Sequence, residues 1–433
     1  MRRTMLAIVL MGLLIAGCGS SNQNAHSTQH HPKVSQQQPQ QPQQPSSTLT
    51  KPISPFAVIR LAATGNNSAV ALAEPEIPTT PAWSLSPQFV GNTGYLSILR
   101  TTDGGSSWTD VTPPDPFSGT PDEWGTALDF LNQDTGWLAV ETGKGPTFTI
   151  TVERTTNGGS SWQASTITTG SIPGGLDLDF TGPRDGWLLA MSTPAAGLMS
   201  KAIYSTSDGG RTWEEVSCSG GPGCSQKTGG LPGDSYPTGI AFLGSDGFVS
   251  ASYHGDPYLW FYGSQDAGHT WQRIPLAVPK ADAQGYGDVY LPSFFGTSGR
   301  MFVQFTNPTG PALVVYQSSH GGHTWQPNAS PALPISWAGQ SAQFGWTSGE
   351  DGWVASGDGK ELFRTTDGGQ TWTRTPLPSA AAAAASEGVL QIAFTSAQDG
   401  LLAASDSGMC SLFTTHDGGK TWTPVAGKVA SAN

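Results

Sequence analysis

The side chains of this chain that could do chemistry are mostly carboxylates. Asp122, Glu123, Asp256, Asp282 and Asp288 stand in stretches rich in Gly and Pro. Two of them facing each other across a cleft would make an acid–base pair of the kind that cleaves glycosides. Dispersed over loops, they read instead as solvated turn residues. Asp129 and Asp179 occupy matching places before Phe130 and Phe180. With Asp177 they are expected to line a central channel as solvated carboxylates, and a cation held there is the alternative. A further carboxylate recurs in "RTTDGGSSW" at Arg100–Trp108 and in "RTTDGGQTW" at Arg364–Trp372. A carboxylate beside two glycines can look like a metal or phosphate loop. Its repetition along the chain gives it a structural reading.

Cysteine and histidine add little catalytic potential. Cys218 and Cys224 flank "SGGPG", a spacer flexible enough to turn back within bonding distance. A Cys218–Cys224 disulfide is expected, with Cys410 left as a buried thiol. His26, His30 and His31 sit in a solvated tether. No metal and no cofactor are expected.

The elements that must position these groups follow from the repeat. The phrase occurs seven times, ending at Trp108, Trp162, Trp213, Trp271, Trp325, Trp372 and Trp422, with spacings of 54, 51, 58, 54, 47 and 50 residues. A period near 50 marks a propeller or another repeat array. Asp103, Asn157, Asp208, Asp266, Asp367 and Asp417 are placed to accept hydrogen bonds from turn N–H groups. The Gly pair permits positive φ in a tight hairpin. The Trp opens the next strand and is expected to be buried over the blade's apolar face. In "SSHGGHTW", His320 replaces the acid, so this fifth turn is the least well pinned. A second phrase precedes each box, as in "LDFLNQDTGWLAV" and "LDFTGPRDGWLLA". It reads strand, turn, strand. A third strand leads into the box and the Trp begins a fourth. Seven sets of four strands predict an all-β, seven-bladed β-propeller of antiparallel blades, at about 56–112, 123–166, 174–216, 236–275, 288–327, 340–376 and 388–425. Chain order begins with an inner strand and ends with an outer one, so closure without strand exchange is expected.

Composition agrees. Charged residues are 12% of 433, against 56 Gly and 33 Pro, which suits turns and strands rather than long helices. The net charge of −12 excludes non-specific binding to nucleic acid or anionic lipid. Arg2 and Arg3, the apolar run "MLAIVLMGLLIA" and "IAGC" read as residues 1–17 of a lipoprotein signal peptide. Cys18 is the expected lipidation site, and cleavage takes the charge to −14. Residues 18–55, rich in Gln, Pro and Ser, read as a disordered tether reaching ~30 Å. Residues 56–433 are the propeller.

The boxes resemble the Asp-box, or BNR repeat, S/T-x-D-x-G-x-T-W. Together with the DGW-type turns they resemble the propeller of photosystem II assembly and stability factors and their non-photosynthetic bacterial relatives, over roughly Phe56 to Val425. That resemblance implies a seven-bladed scaffold. The photosynthetic members carry a basic patch, whereas this chain is acidic and places Arg100, Arg154 and Arg364 in the box strand. Asp-boxes also occur in sialidases and in xyloglucan-degrading propellers. A sialidase needs three converging arginines, and "FAVIRLA" at Phe56 matches its motif poorly. The xyloglucanases use two propellers, and this repeat makes one.

Function is therefore expected to be non-catalytic: an extracytoplasmic, membrane-anchored, monomeric scaffold binding an envelope protein or glycan. The alternative is a glycoside hydrolase or carbohydrate-binding protein of the envelope. Trp124, Tyr286 and Trp337, in connections between blades, are the candidate binding face.

Overall fold

A computed structural model of the chain describes residues 4–5, 56–65, 67–75, 96–114, 125–142, 148–169, 174–193, 198–220, 224, 229–252, 259–282, 286–307, 310–328, 333–334, 343–406, 409–425 and 428–430. Seven antiparallel sheets form the blades of a propeller. Blade two shows the plan: Thr126–Phe130, Gly136–Thr142, Phe148–Thr155 and Gln163–Thr169 pair in chain order. The first strand of each blade is the inner one. It packs against the first strand of the next blade between blades two and three, three and four, and six and seven, and Phe56–Gly65 of blade one meets Val389–Phe394 of blade seven to close the circle.

Seven hydrophobic clusters hold the ring, and each joins two neighbouring blades. The Trp of the DGW turn belongs to three of them. Trp137 of blade two lies flat on Phe180 of blade three, with ring centroids 3.5 Å apart at 3°. Trp187 of blade three stacks on Phe242 of blade four at 3.7 Å. One repeat therefore completes the core of the next, and no blade buries its apolar face alone.

Closure departs from the expectation. Lys428–Ala430 adds to blade one as a fifth strand, parallel to Ser107–Asp110. The chain end is thus exchanged onto the first blade, with Val429 in register with Trp108. Every blade otherwise ends at an outer edge with unpaired backbone groups, and this strand satisfies those of blade one. Thr4–Met5 pairs with Phe344–Gly345 on the inner edge of blade six.

Two local features went unread in the sequence. The inner strand of blade five is split into Tyr286–Val289 and Ser293–Phe295, both paired with Ser298–Asn307. Pro292 falls between them and cannot donate to the ladder. Ser379–Glu387 forms a helix between blades six and seven, with Ala381, Ala384 and Ala385 buried against the cluster of those blades. Its signal was the run of alanines, the strongest helix formers.

Candidate functional site

The Asp-boxes are small hydrogen-bonded knots. In blade one, Ser107 donates its N–H to Asp103 Oδ1 at 2.9 Å and its hydroxyl to Oδ2 at 2.6 Å. Thr101 donates to Oδ1, and Gly105 N–H donates to Thr101 Oγ1. The glycines take φ of +69° and +85°. The same set recurs around Asp208, Asp266, Asp367 and Asp417, and Asn157 reproduces it with an amide. Partial burial alone would raise the pKa of Asp208. The hydroxyl and N–H of Thr212 outweigh it and hold the carboxyl at about 2. Thr421 does the same for Asp417, also to about 2. In the fifth box Gly322 still donates to Ser318 Oγ, while His320 supplies no carboxylate to Thr324. All of this is turn chemistry.

The box tryptophans differ from the expectation of uniform burial. Trp108, Trp271 and Trp325 are buried, while Trp162, Trp213, Trp372 and Trp422 are half-buried. The half-buried rings rest on a neighbouring aromatic edge, as Trp213 does on Phe180 and Trp422 on Phe394. Trp108 is the one alongside which the closing strand runs.

The inner carboxylates are not solvated channel residues. Asp129 of blade two accepts the N–H of Phe180 in blade three at 2.7 Å. Asp177 of blade three accepts from Ile240 in blade four at 2.8 Å, and Asp179 accepts from Phe242. Innermost strands carry N–H groups with no further strand to receive them, and these carboxylates cap them from the preceding blade.

Of the loop carboxylates, Asp282 is buried at the end of the short turn Lys280–Asp282, and Asp288 lies in the inner strand of blade five. Neither is a solvated loop residue. Asp122, Glu123 and Asp256 lie outside the described residues. So do Cys18, Trp124 and Trp337, and of Tyr286 only the backbone is described, in a strand rather than a connection. Cys218 and Cys224 form a disulfide with Cα atoms 5.7 Å apart, and Cys410 is buried as a thiol. Among the described residues no group of three or more His, Cys, Asp or Glu could hold a metal ion.

A buried cation also escaped the sequence reading. Lys201, only 4% exposed, donates to the carbonyls of Pro232, Gly233 and Ser235 and to the Ser235 hydroxyl. Burial pushes its pKa down to about 8 against the pull of Asp234. It ties the Gly-rich approach of blade four to blade three.

The arginines form a second system between blades, each reaching toward the first glycine of the next box. A Cβ on Gly158 of blade two would lie 2.7 Å from Cζ of Arg100 of blade one. One on Gly209 of blade three would lie 3.2 Å from Nε of Arg154 of blade two. Arg364 of blade six donates to Ala397 O of blade seven at 2.8 Å and covers Phe394 at 4.6 Å. In blade five the corresponding residue is Gln317. Its register partner Arg300 supplies the guanidinium instead, 3.0 Å from where a Cβ on Gly368 would sit. Blade three has Ser205 at this place, and there the next box carries Ala267, a non-glycine at φ +59°. Between blades four and five no arginine stands at this place, which is Gly263, and the next box still keeps Gly321.

Blade seven, at the seam with blade one, has no arginine to offer, like blades three and four. Its residue at the arginine position is Thr414, and among the described residues nothing lies within 4 Å of a Cβ built on Gly104. A small cleft opens there, with about 20 Å³ of room for water, lined by Asn67, Thr101, Gly104, Asp399, Thr414 and His416 among others. Thr414 Oγ1 is 3.1 Å from His416 Nε2, and His416 Nδ1 is 2.8 Å from Asp399 Oδ1. The hydrogen bond from His416 is the largest influence on Asp399 and holds its pKa down. Hydroxyl, imidazole and carboxylate in line resemble an acyl-transfer relay. The nearby N–H groups are committed, however. Gly104 donates to Asn67 O, Gly418 to Gln398 O, Thr395 to Asp399 O, and Gly105 and Gly419 to threonine hydroxyls. These give no donor pair for an oxyanion. Both oxygens of Asp399 are taken as well, by His416 and Ser396, and most of the cleft's wall is apolar.

Comparison with known proteins fits this geometry. The model of the BNR/Asp-box repeat matches residues 413–424, the seventh box. The photosystem II assembly lipoprotein Ycf48 of Synechococcus sp. (strain CC9902) is 26% identical over 197 residues, 45% of this chain and 48% of the relative. The chain is a seven-bladed Asp-box propeller and resembles Ycf48. The match spans about half the length of that Ycf48. Among solved structures, YCF48 bound to D1 peptide aligns with 85% of this chain and 96% of its own, at 14% identity and a TM-score of 0.48. The GH74 xyloglucanase from Xanthomonas campestris aligns with 85% of this chain and 53% of its own, at 16% identity and a TM-score of 0.48.

Proposed function

We propose that the chain is a lipid-anchored, extracytoplasmic scaffold that binds a protein partner of the cell envelope without catalysis. The observation that carries this reading is how the repeat uses its chemistry. The box carboxylates, the inner aspartates and the arginines that cross between blades are committed to holding the ring. That makes a stiff platform on which the connections between blades are free to vary and to recognise. The sequence likeness to an assembly lipoprotein supports the same class of work and the same anchoring. Residues 1–17 and Cys18 supply the anchor, and the protein acts as a monomer.

The test is capture. The lipidated protein is used to retrieve partners from envelope extracts, beside Trp124→Ala, Tyr286→Ala and Trp337→Ala, and all are assayed for hydrolysis of envelope and plant glycans. The reading expects a saturable protein partner that at least one aromatic change releases. Glycan turnover that disappears with a single change at Asp122, Glu123 or Asp256 would replace it with a glycoside hydrolase. A Cys18→Ser protein that still partitions with membranes removes the anchor.

A further inference from the structure

One place in the repeat carries chemistry at odds with its surroundings. Two residues before the hydroxyl that opens each box, the chain has Leu99, Glu153, Tyr204, Tyr262, Tyr316, Phe363 and Phe413. All seven are buried. The leucine and the five aromatics are core, each belonging to a different cluster between blades. The remaining cluster, between blades one and two, has no such member, because the residue there is Glu153.

Glu153 is 8% exposed. In the ladder it stands opposite Leu138 on one side and Ala164 on the other. Leu138 belongs to the cluster of blades one and two, with Val70, Leu72, Ile98 and Val111. Unlike the box and inner aspartates, Glu153 has no hydrogen bond or ion pair among the described residues. The charged groups on the elements packed around it are committed elsewhere. Arg100 of blade one lies over Gly158 and is 3.9 Å from Asp134. Asp110 of blade one accepts from the N–H and hydroxyl of Thr112. Arg154, its chain neighbour, lies along Gly209 of blade three. The strand Gln163–Thr169 carries no charge, and Gly136–Thr142 carries only Glu141, another acid. Burial therefore acts unopposed and raises the pKa of Glu153. A buried carboxyl with no partner is costly when ionised and far less so when protonated.

We propose that Glu153 makes the junction of blades one and two a proton-controlled joint, tight when the carboxyl is neutral and loosened when it is ionised. The inference goes beyond the scaffold reading and does not depend on it, since no partner enters. The other clusters hold an uncharged residue at this place, so the response is confined to one joint. The folded group titrates above the value of about 4.3 for an unfolded glutamate. Its penalty is absent below that value, grows as pH rises toward the folded value and is complete above it. Acidification thus strengthens this joint, in a window above the one in which the box aspartates lose their contribution.

The experiment follows the melting temperature of the full chain and of Glu153→Gln between about pH 4.5 and pH 8, a range chosen to start just above the unfolded glutamate value. The neutral isostere is expected to melt at least about 2 °C above wild type at the alkaline end, with the gap closing toward the acid end. Every other titrating group is common to both proteins and cancels. A gap that does not change with pH overturns the proposal, as does a variant that melts below wild type at the alkaline end. Amide exchange in the wild-type protein, corrected for intrinsic rates, needs no variant to fold. Residues 97–110 and 148–169 should gain protection on acidification relative to residues 236–273 of blade four. An equal change in both regions overturns the joint.

Discussion

The junction of blades two and three and the seam of blades seven and one are built from the same repeat and differ in what crosses them. Between two and three, Trp137 stacks on Phe180 and donates from Nε1 to Gly209 O at 2.9 Å. Asp129 caps the inner strand, Ser165 Oγ donates to Gly210 O at 2.6 Å, and Arg154 lies along Gly209. At the seam the turn carries Leu401 in place of Trp, Val425 stands where Ser165 would, and Thr414 replaces the arginine. The core there is smaller-grained, built from Ala69, Ala71, Ala73, Ala393 and Ala403 around Val58 and Leu412. Val58 N–H donates to Ser405 Oγ at 3.2 Å across the joint, and the closing strand supplies the rest. Rigidity can be distributed among side-chain struts or concentrated in one backbone ladder. The second choice leaves room between the blades.

The comparison breaks most sharply at Trp137. Trp137→Ala should cost about 3–5 kcal/mol, the usual loss for a buried large aromatic, whereas Leu401→Ala at the seam should cost about 2–5 kcal/mol. Denaturant melts of the two proteins test whether the aromatic junction exceeds the aliphatic one. Arg364→Ala, which strands the carbonyl of Ala397 and uncovers Phe394, should cost about 1–3 kcal/mol in the same melts. Thr414→Arg should move the other way or be neutral. The glycines sharpen the point. Gly104→Ala should cost about 1 kcal/mol, the penalty for a side chain at positive φ. Gly158→Ala should cost more, because its methyl must also displace the Arg100 guanidinium.

Smaller effects concern the boxes. His320→Asp should give the fifth box the missing acceptor for Thr324 and gain up to about 1 kcal/mol. A melt showing a loss would mean the histidine is itself a tie. Acid should act through the boxes that hold carboxylates. Asp208 and Asp417 titrate at about 2 in the fold, against about 3.9 in an unfolded chain. Their contribution is complete above that unfolded value and is lost as pH falls through about 2. Asp208→Asn should flatten the fall in melting temperature between those limits, and an unchanged slope would exclude the box carboxylates as its source.

The fold was legible because its signal is periodic. Seven boxes at a near-constant spacing leave little choice of architecture, and the Asp, Gly and Ser or Thr of each box bond within a few residues of one another. What bonds between blades was not legible. Asp129 reads as a channel carboxylate until Phe180 N–H is seen beside it. Arg100 and Arg364 read as decoration on the box until the next glycine is seen under them. Those contacts join residues about one repeat apart, and local patterns carry no such information. The closing strand left no trace, since Lys428–Ala430 is too short and too plain to announce a partner near residue 108.

The backbone lacing of blade one also sets an order of events in time. The first blade to emerge from the ribosome is the last to be completed, because its fifth strand is made of residues 428–430. Until then its outer edge, Ser107–Asp110, presents bare N–H and C=O groups, and such an edge pairs readily with any extended chain that reaches it. The interval of greatest danger is thus the whole passage of the polypeptide. A chain cut short before residue 428 would leave that edge open for good, so the quality of the first blade reports on whether residues 428–430 ever arrived.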